Sequence, residues 1–263
     1  MPDSSQPLWL VLVGNLVMQA AGYFAVVGSV YIVVWRLLRE RLRGARIPAP
    51  DRANGAQIRR EVLLTFGTFI AGTSSAGVVL ALHGAGLTRL DDGEVPVWVT
   101  FAWTAAGLAF NDLWFYSWHR LMHRPLPFRW IHAVHHKSVD VNPFTSYAFH
   151  AVESVLVTGW LIPFVMLVPL STPVLMAVQV AGLSNNVMAH LGYELLPAWW
   201  VRAPVLRWSN SATFHSLHHA RFNGNYGLFS RVWDRWFGTE LDGYEAAFSA
   251  AHAEAPASGG GVD

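Results

Sequence analysis

The sequence contains no cysteine. That absence excludes disulfides, zinc ribbons, thiolate-bound haem and four-cysteine iron–sulfur clusters. Charge is scarce too: 13% of residues are charged and 53% apolar, about half the charged share of a soluble domain, and mean hydropathy is +0.31. Basic and acidic residues nearly cancel, 18 against 17, so no global field draws nucleic acid or an acidic partner. No Pro/Gly/Ser-rich linker interrupts the chain before the tail after Ala250. Any redox chemistry must therefore run on histidine, within one membrane-embedded body.

What the chain does have is long apolar runs. Leu8 to Trp35 is almost uncharged, too long for the core of a cleavable signal peptide and long enough to cross a bilayer. Val62 to Leu82 carries Gly67, Gly72, Thr73, Ser74, Ser75 and Gly77, small residues that mark close helix packing in membranes. Val97 to Trp118 follows, and Ala151 to Pro169 with Thr172 to Ala189 reads as a helical hairpin turned at Pro169, Ser171 and Pro173. The expected fold is all-α, a multi-pass transmembrane bundle of about four to five spans. Residues 1–96 are expected to hold the first spans and a basic loop, 97–245 a catalytic region, and 246–263 a flexible tail. Arg36, Arg39, Arg41, Arg43, Arg46, Arg52, Arg59 and Arg60 fill the first loop, while the next has Asp91, Asp92 and Glu94 with Arg89. The positive-inside rule puts the first loop in the cytoplasm. Counting spans from there brings residues 118–150 and everything after His190 to the same cytoplasmic side.

Most of the twelve histidines lie in three tight blocks: His119 with His123; His132 with His135 and His136; His215 with His218 and His219. Residues three or four apart share a helix face, so each block is expected to aim its imidazoles at one point. Neutral imidazole binds iron, zinc, copper or nickel. Without a metal such a cluster has no shared benefit, and protonated imidazoles would repel. His190 closes the hairpin on the same side and is taken as a ninth ligand. His83 and His252 stand alone and are expected to be ordinary hydrogen-bonded side chains. Asp112 sits two helical turns before His119, where its carboxylate is expected to accept the second ring N–H of a ligand histidine.

Ser117-Trp118-His119-Arg120 with His123, Ile131-His132-Ala133-Val134-His135-His136-Lys137-Ser138, Pro143 to His150, His190-Leu191-Gly192-Tyr193 and Phe214-His215-Ser216-Leu217-His218-His219 form an ordered series. It resembles the fatty acid hydroxylase and sterol desaturase superfamily of membrane di-iron enzymes. Asn225-Tyr226-Gly227, Trp233-Asp234-Arg235 and Phe237-Gly238-Thr239 resemble the sterol desaturase branch in particular. The resemblance implies two Fe ions, O2 as co-substrate, and hydroxylation or desaturation of a sterol-like or fatty-acyl lipid. Nine imidazoles on two octahedral metals would leave about three of twelve positions open. With no cysteine cluster or haem-binding segment in the chain, electrons are expected from a separate donor of cytochrome b5 or ferredoxin type. Two positions depart from the family pattern. Asn186 stands where the fatty-acid hydroxylase branch tends to have a histidine, and is expected to coordinate directly or through water. His150-Ala151 replaces a usual His-Pro, leaving His150 and Glu153 as groups of the site or substrate channel. Two other readings stay open: a zinc-dependent membrane hydrolase, which lacks the H-E-x-x-H helix it would use, and a membrane metal-binding or transport protein, which would carry histidines within its spans.

Overall fold

In a computed structural model that describes residues 6–49, 52–90 and 96–253, helix dominates, and no strand forms among the described residues. The calls on Asp91, Asp92 and Glu94 lie outside them. The apolar runs become helices α1 (Leu8–Val30), α2 (Gly55–Gly84) and α3 (Val97–Met122). The first continues through a π-helical segment, Tyr31–Leu37, and the second begins where the Asn54 side chain accepts the Gln57 amide at 3.0 Å.

After α3 the chain turns through α4 (Pro125–Pro127) and a short π-helical stretch into α5 (Ala133–His136). The hairpin is built from α6 (Ala151–Thr158), α7 (Leu161–Leu167) and α8 (Thr172–Ala189). Its first arm breaks at Gly159, where a Cβ would lie 2.8 Å from the Val155 carbonyl oxygen. Three shorter helices follow: α9 (Ala212–Arg221), α10 (Val232–Trp236) and α11 (Tyr244–Ala253). The last corrects part of the expected tail, whose residues 254–263 lie outside the described residues. Residues 246–253 are helical, and Phe248 is fully buried against Val201, Phe214 and Tyr244.

Among the described residues two helices, Leu8–Leu37 and Gly55–Gly84, are long and apolar enough to cross a membrane. Most of each apolar window is not buried. Met18 (74% exposed), Trp98 (72%), Phe101 (72%) and Ile70 (59%) turn outward, an apolar surface suited to lipid and costly in water. Inside, Val79, Trp160, Phe164, Val165, Leu170, Val174 and Val178 pack one core, and Tyr23, Val27, Phe69 and Val187 another.

The first 95 residues carry no recognisable motif, so they are expected to inform topology and not chemistry. The structure gives them more to do. Glu61 on α2 is fully buried and accepts hydrogen bonds from Asn142 Nδ2 (2.7 Å), Thr145 Oγ1 (2.9 Å) and Gln57 Nε2 (2.9 Å). Arg46 pairs with Asp140 and donates to the Gly192 carbonyl, with its guanidinium over Trp35 and Tyr193. Glu61 thus ties α2 to the side chains of the 142–145 turn, and Arg46 satisfies the Gly192 carbonyl.

Candidate metal centre

The nine histidines singled out from sequence come together, in two groups: His119, His123, His132, His136 and His218; and His135, His190, His215 and His219. All but the half-buried His123 are inaccessible to solvent. In the first group, His132 Nε2 lies 3.1 Å from His119 Nε2 and 3.0 Å from His136 Nε2, and His136 Nε2 is 3.1 Å from His218 Nε2. In the second, His190 Nε2 lies 3.4 Å from His135 Nε2 and 2.9 Å from His215 Nε2, and His215 Nε2 is 3.2 Å from His219 Nε2.

Each block was expected to aim at one point; instead, the two HxxHH blocks straddle both groups. His132 and His136 join the first while His135 joins the second, and His215 and His219 join the second while His218 joins the first. Helix geometry is the reason. Positions i and i+4 differ by about 40° around the axis, while i+3 falls about 60° to the other side. One turn can thus serve two metals.

The other ring nitrogens fix the tautomers. Nδ1 of His119 meets the Tyr226 carbonyl (2.9 Å), His218 the Gly224 carbonyl (2.6 Å), His190 the Asn186 carbonyl (2.9 Å) and His135 the Ala148 carbonyl (3.4 Å). A carbonyl only accepts, so these Nδ1 atoms carry the proton and the Nε2 atoms present lone pairs. Burial reinforces this. It lowers His190 to about 4 and His123 to about 2, and holds His132, His135, His136, His215, His218 and His219 well below the usual histidine range. Neutral imidazoles with lone pairs converging at about 3 Å repel unless a cation lies between them, and right-angled bonds of about 2.1 Å give that nitrogen spacing. The donor set therefore fits metal ions.

Asp112 is not a histidine partner. Its carboxylate accepts from the Phe229 amide (2.7 Å), the Leu228 amide (3.2 Å), Ser230 Oγ (2.5 Å) and Trp233 Nε1 (3.0 Å). The two-turn spacing placed it on the right helix, but the 228–230 loop, which needs an acceptor for its main-chain N–H groups, reaches it first. The role expected of Asp112 belongs to Glu153, whose Oε1 is 2.7 Å from His132 Nδ1. Asn186 lines a gap of about 10 Å³ beside both histidine groups, with Phe115, Phe149, Glu153 and Leu228 among its neighbours; its Nδ2 donates to the Ser146 carbonyl at 2.7 Å. His150 caps α6, its Nδ1 accepting the Val152 amide at 3.2 Å. His83 bonds Thr88, and His252 meets the Phe248 and Leu196 carbonyls; neither joins the groups.

The turn at 224–227 is a support that residue types alone did not expose. Gly224 and Tyr226 supply the carbonyls for His218 and His119. Asn225 adopts φ 58°, and a Cβ at Gly227 would collide with the Ser230 carbonyl. Asp234 accepts the Tyr226 and Gly227 amides (2.8 and 2.7 Å) and Thr239 Oγ1 (2.7 Å). Burial pushes its pKa up to about 6 against those hydrogen bonds. The signal was the string Asn225-Tyr226-Gly227 followed by Asp234, which has a physical reading once carbonyl acceptors for buried histidines are sought.

The fatty acid hydroxylase family matches residues 104–239, a stretch that contains all nine histidines. Over 134 residues the chain is 35% identical to a Delta(7)-sterol 5(6)-desaturase of Leptosphaeria maculans, covering 50% of this chain and 35% of the relative. It is 34% identical over 151 residues to a Delta(7)-sterol 5(6)-desaturase of Gibberella zeae (57% and 40%) and 32% identical over 150 residues to a probable one of Neurospora crassa (56% and 41%). The matched part spans well under half the length of these curated relatives. No solved structure matches. The chain belongs to the fatty acid hydroxylase family, on the side of the sterol desaturases.

Proposed function

We propose that this member of the fatty acid hydroxylase family is a membrane-bound, O2-dependent oxidoreductase that hydroxylates or desaturates a C–H site of a sterol-like or fatty-acyl lipid. The observation that carries this reading is the pair of buried histidine groups whose Nε2 lone pairs face one another. The five-histidine group would hold one iron and the four-histidine group the other. Irons bound there would supply, with electrons from a donor, the reduction of dioxygen to an oxidant able to take hydrogen from an unactivated C–H bond.

The chain's own residues do the rest. Glu153 holds His132 in one tautomer and one orientation. The 224–227 turn does the same for His119 and His218. Phe115, Phe149 and Leu228 close the gap beside both groups and keep bulk water out, while Asn186 lines that gap as a direct or water-bridged polar group. The exposed apolar helices hold the protein, and with it the lipid substrate, in the bilayer. The arginine-rich first loop puts the histidine face on the cytoplasmic side, where a separate cytochrome b5 or ferredoxin type donor delivers electrons. Four to five spans, with residues 97–245 as the catalytic region, complete the topology.

The test is metal analysis followed by turnover. Purified protein should hold two irons per chain and, given lipid, dioxygen and a donor, form products that have gained one oxygen atom or lost two hydrogens. Hydrolytic products, formed without oxygen or donor on a zinc-loaded protein, would overturn the proposal.

A further inference from the structure

A second cavity, of about 400 Å³, lies in the apolar part of the bundle, walled by α1, α2, α7 and α8. Small residues on one face of α2, Gly72, Ser75 and Ala76, make the space. A Cβ at Gly72 would strike Gln19 Oε1 at 2.6 Å, so a bare backbone there is what lets Gln19 extend. The inner end stops at Tyr147, whose carbonyl accepts from Thr68 Oγ1 at 2.9 Å. On the other side, Met176 and Gln179 of α8 are exposed, which leaves the cavity open laterally.

Its lining is apolar except for neutral hydrogen-bonding groups. Asn15 and Gln19 lie along α1, where Gln19 Nε2 reaches Thr73 Oγ1 (3.2 Å), and Ser75 Oγ bonds Thr158 Oγ1 (3.2 Å). Gln179 faces the cavity near the middle of α8 with no hydrogen-bond partner among the described residues. A carboxamide in an apolar span is costly unless something satisfies it. Among the described residues no Asp, Glu, Lys or Arg lines the cavity, and a charged headgroup would meet no partner among them. The volume lies in the range of small-molecule sites and is too small for a two-chain phospholipid.

We infer that this cavity is a binding site for a single-bodied amphipathic lipid with a neutral hydroxyl head, the hydroxyl meeting Gln179 and the Asn15–Gln19 pair. The inference stands apart from the reaction at the histidines, because it rests on cavity shape and lining alone. Two sources share this chemistry, a sterol and a long-chain alcohol.

The full-length, iron-loaded protein in lipid nanodiscs would be photolabelled with three diazirine probes: a sterol with a free hydroxyl, a long-chain alcohol and a phosphatidylcholine. Adducts would be mapped by peptide mass spectrometry. The expected result is saturable labelling of α1, α2 and α8 by at least one hydroxyl probe, which then identifies the body preferred, and only diffuse labelling by the phospholipid. Ala76→Phe should abolish the saturable labelling by filling the space, and Gln179→Leu should weaken it about tenfold. Iron content serves as the check that both variants are folded, and neither residue touches the metal centre. Labelling confined to the outer helix faces, equal labelling by phosphatidylcholine, or labelling unchanged in both folded variants would overturn the inference.

Discussion

The two histidine groups use the same side chain and differ in how it is braced. In the five-histidine group, His119 and His218 lean on carbonyls of one tight turn and His132 on a buried carboxylate, while His136 Nδ1 and His123 Nε2 are buried without a hydrogen-bond partner. In the four-histidine group, His135 and His190 lean on carbonyls of separate segments, at 3.4 and 2.9 Å, while Nδ1 of His215 and of His219 is buried with no partner. An imidazole held from behind is a better-oriented and more basic ligand. With three of five imidazoles braced, one of them by a carboxylate, against two of four, the first group would be the firmer seat for a metal, and the second, with fewer donors, would leave more positions for exchangeable molecules.

The most direct way to break this comparison is to remove one ligand from each group. His218→Ala should empty the first seat and His215→Ala the second, each leaving about one iron per chain and activity at background. His135→Ala should behave like His215→Ala. Full iron in these variants, measured by elemental analysis, would dissolve the two-seat assignment. Next in size is bracing: Glu153→Gln should cost about 10–100-fold in iron affinity or turnover, read by titration of the metal-free protein. Graded chelation sharpens the contrast without mutation, with the four-histidine group giving up its iron first.

A smaller effect concerns pH. His190 and His123 have folded-state values near 4 and 2, below the usual 6.5, so the unfolded chain takes up protons that the folded chain refuses. Their contribution to stability is complete above about pH 6.5 and falls as pH drops toward 4, by about 1.4 kcal/mol per histidine per pH unit. Metal-free protein should therefore melt at a lower temperature at pH 5.5 than at pH 7.5; an unchanged or higher melting temperature at pH 5.5 would contradict the burial argument. Smallest is His252→Ala, which should leave iron at two per chain and cost about 1 kcal/mol through its lost hydrogen bonds to Phe248 and Leu196.

Histidine identity was legible from spacing because i, i+3 and i+4 project from one helix side whatever the rest of the fold does. The division into five and four was not, because it depends on how α5 and α9 face each other across the site. Hydropathy exposed the long helices, yet it missed the break at Gly159, a local steric matter, and the helix at 244–253, whose alanine-rich face reads as tail until Phe248 finds its pocket. Asp112 shows the limit of reasoning along a single helix. Its acceptors were counted against histidines on α3, whereas its actual partners lie more than a hundred positions later.

Glu61 carries a lesson for anyone who would re-engineer the chain. The first two helices look like a replaceable membrane anchor, and a chimera would be designed by cutting ahead of the histidines. Yet the grip of Glu61 on Asn142 and Thr145 sets the turn that leads to the Ala148 carbonyl behind His135. A borrowed anchor without a carboxylate at that height would insert normally and still misplace a ligand. The natural cut point is therefore ahead of Gly55, with the whole second helix travelling as part of the cargo.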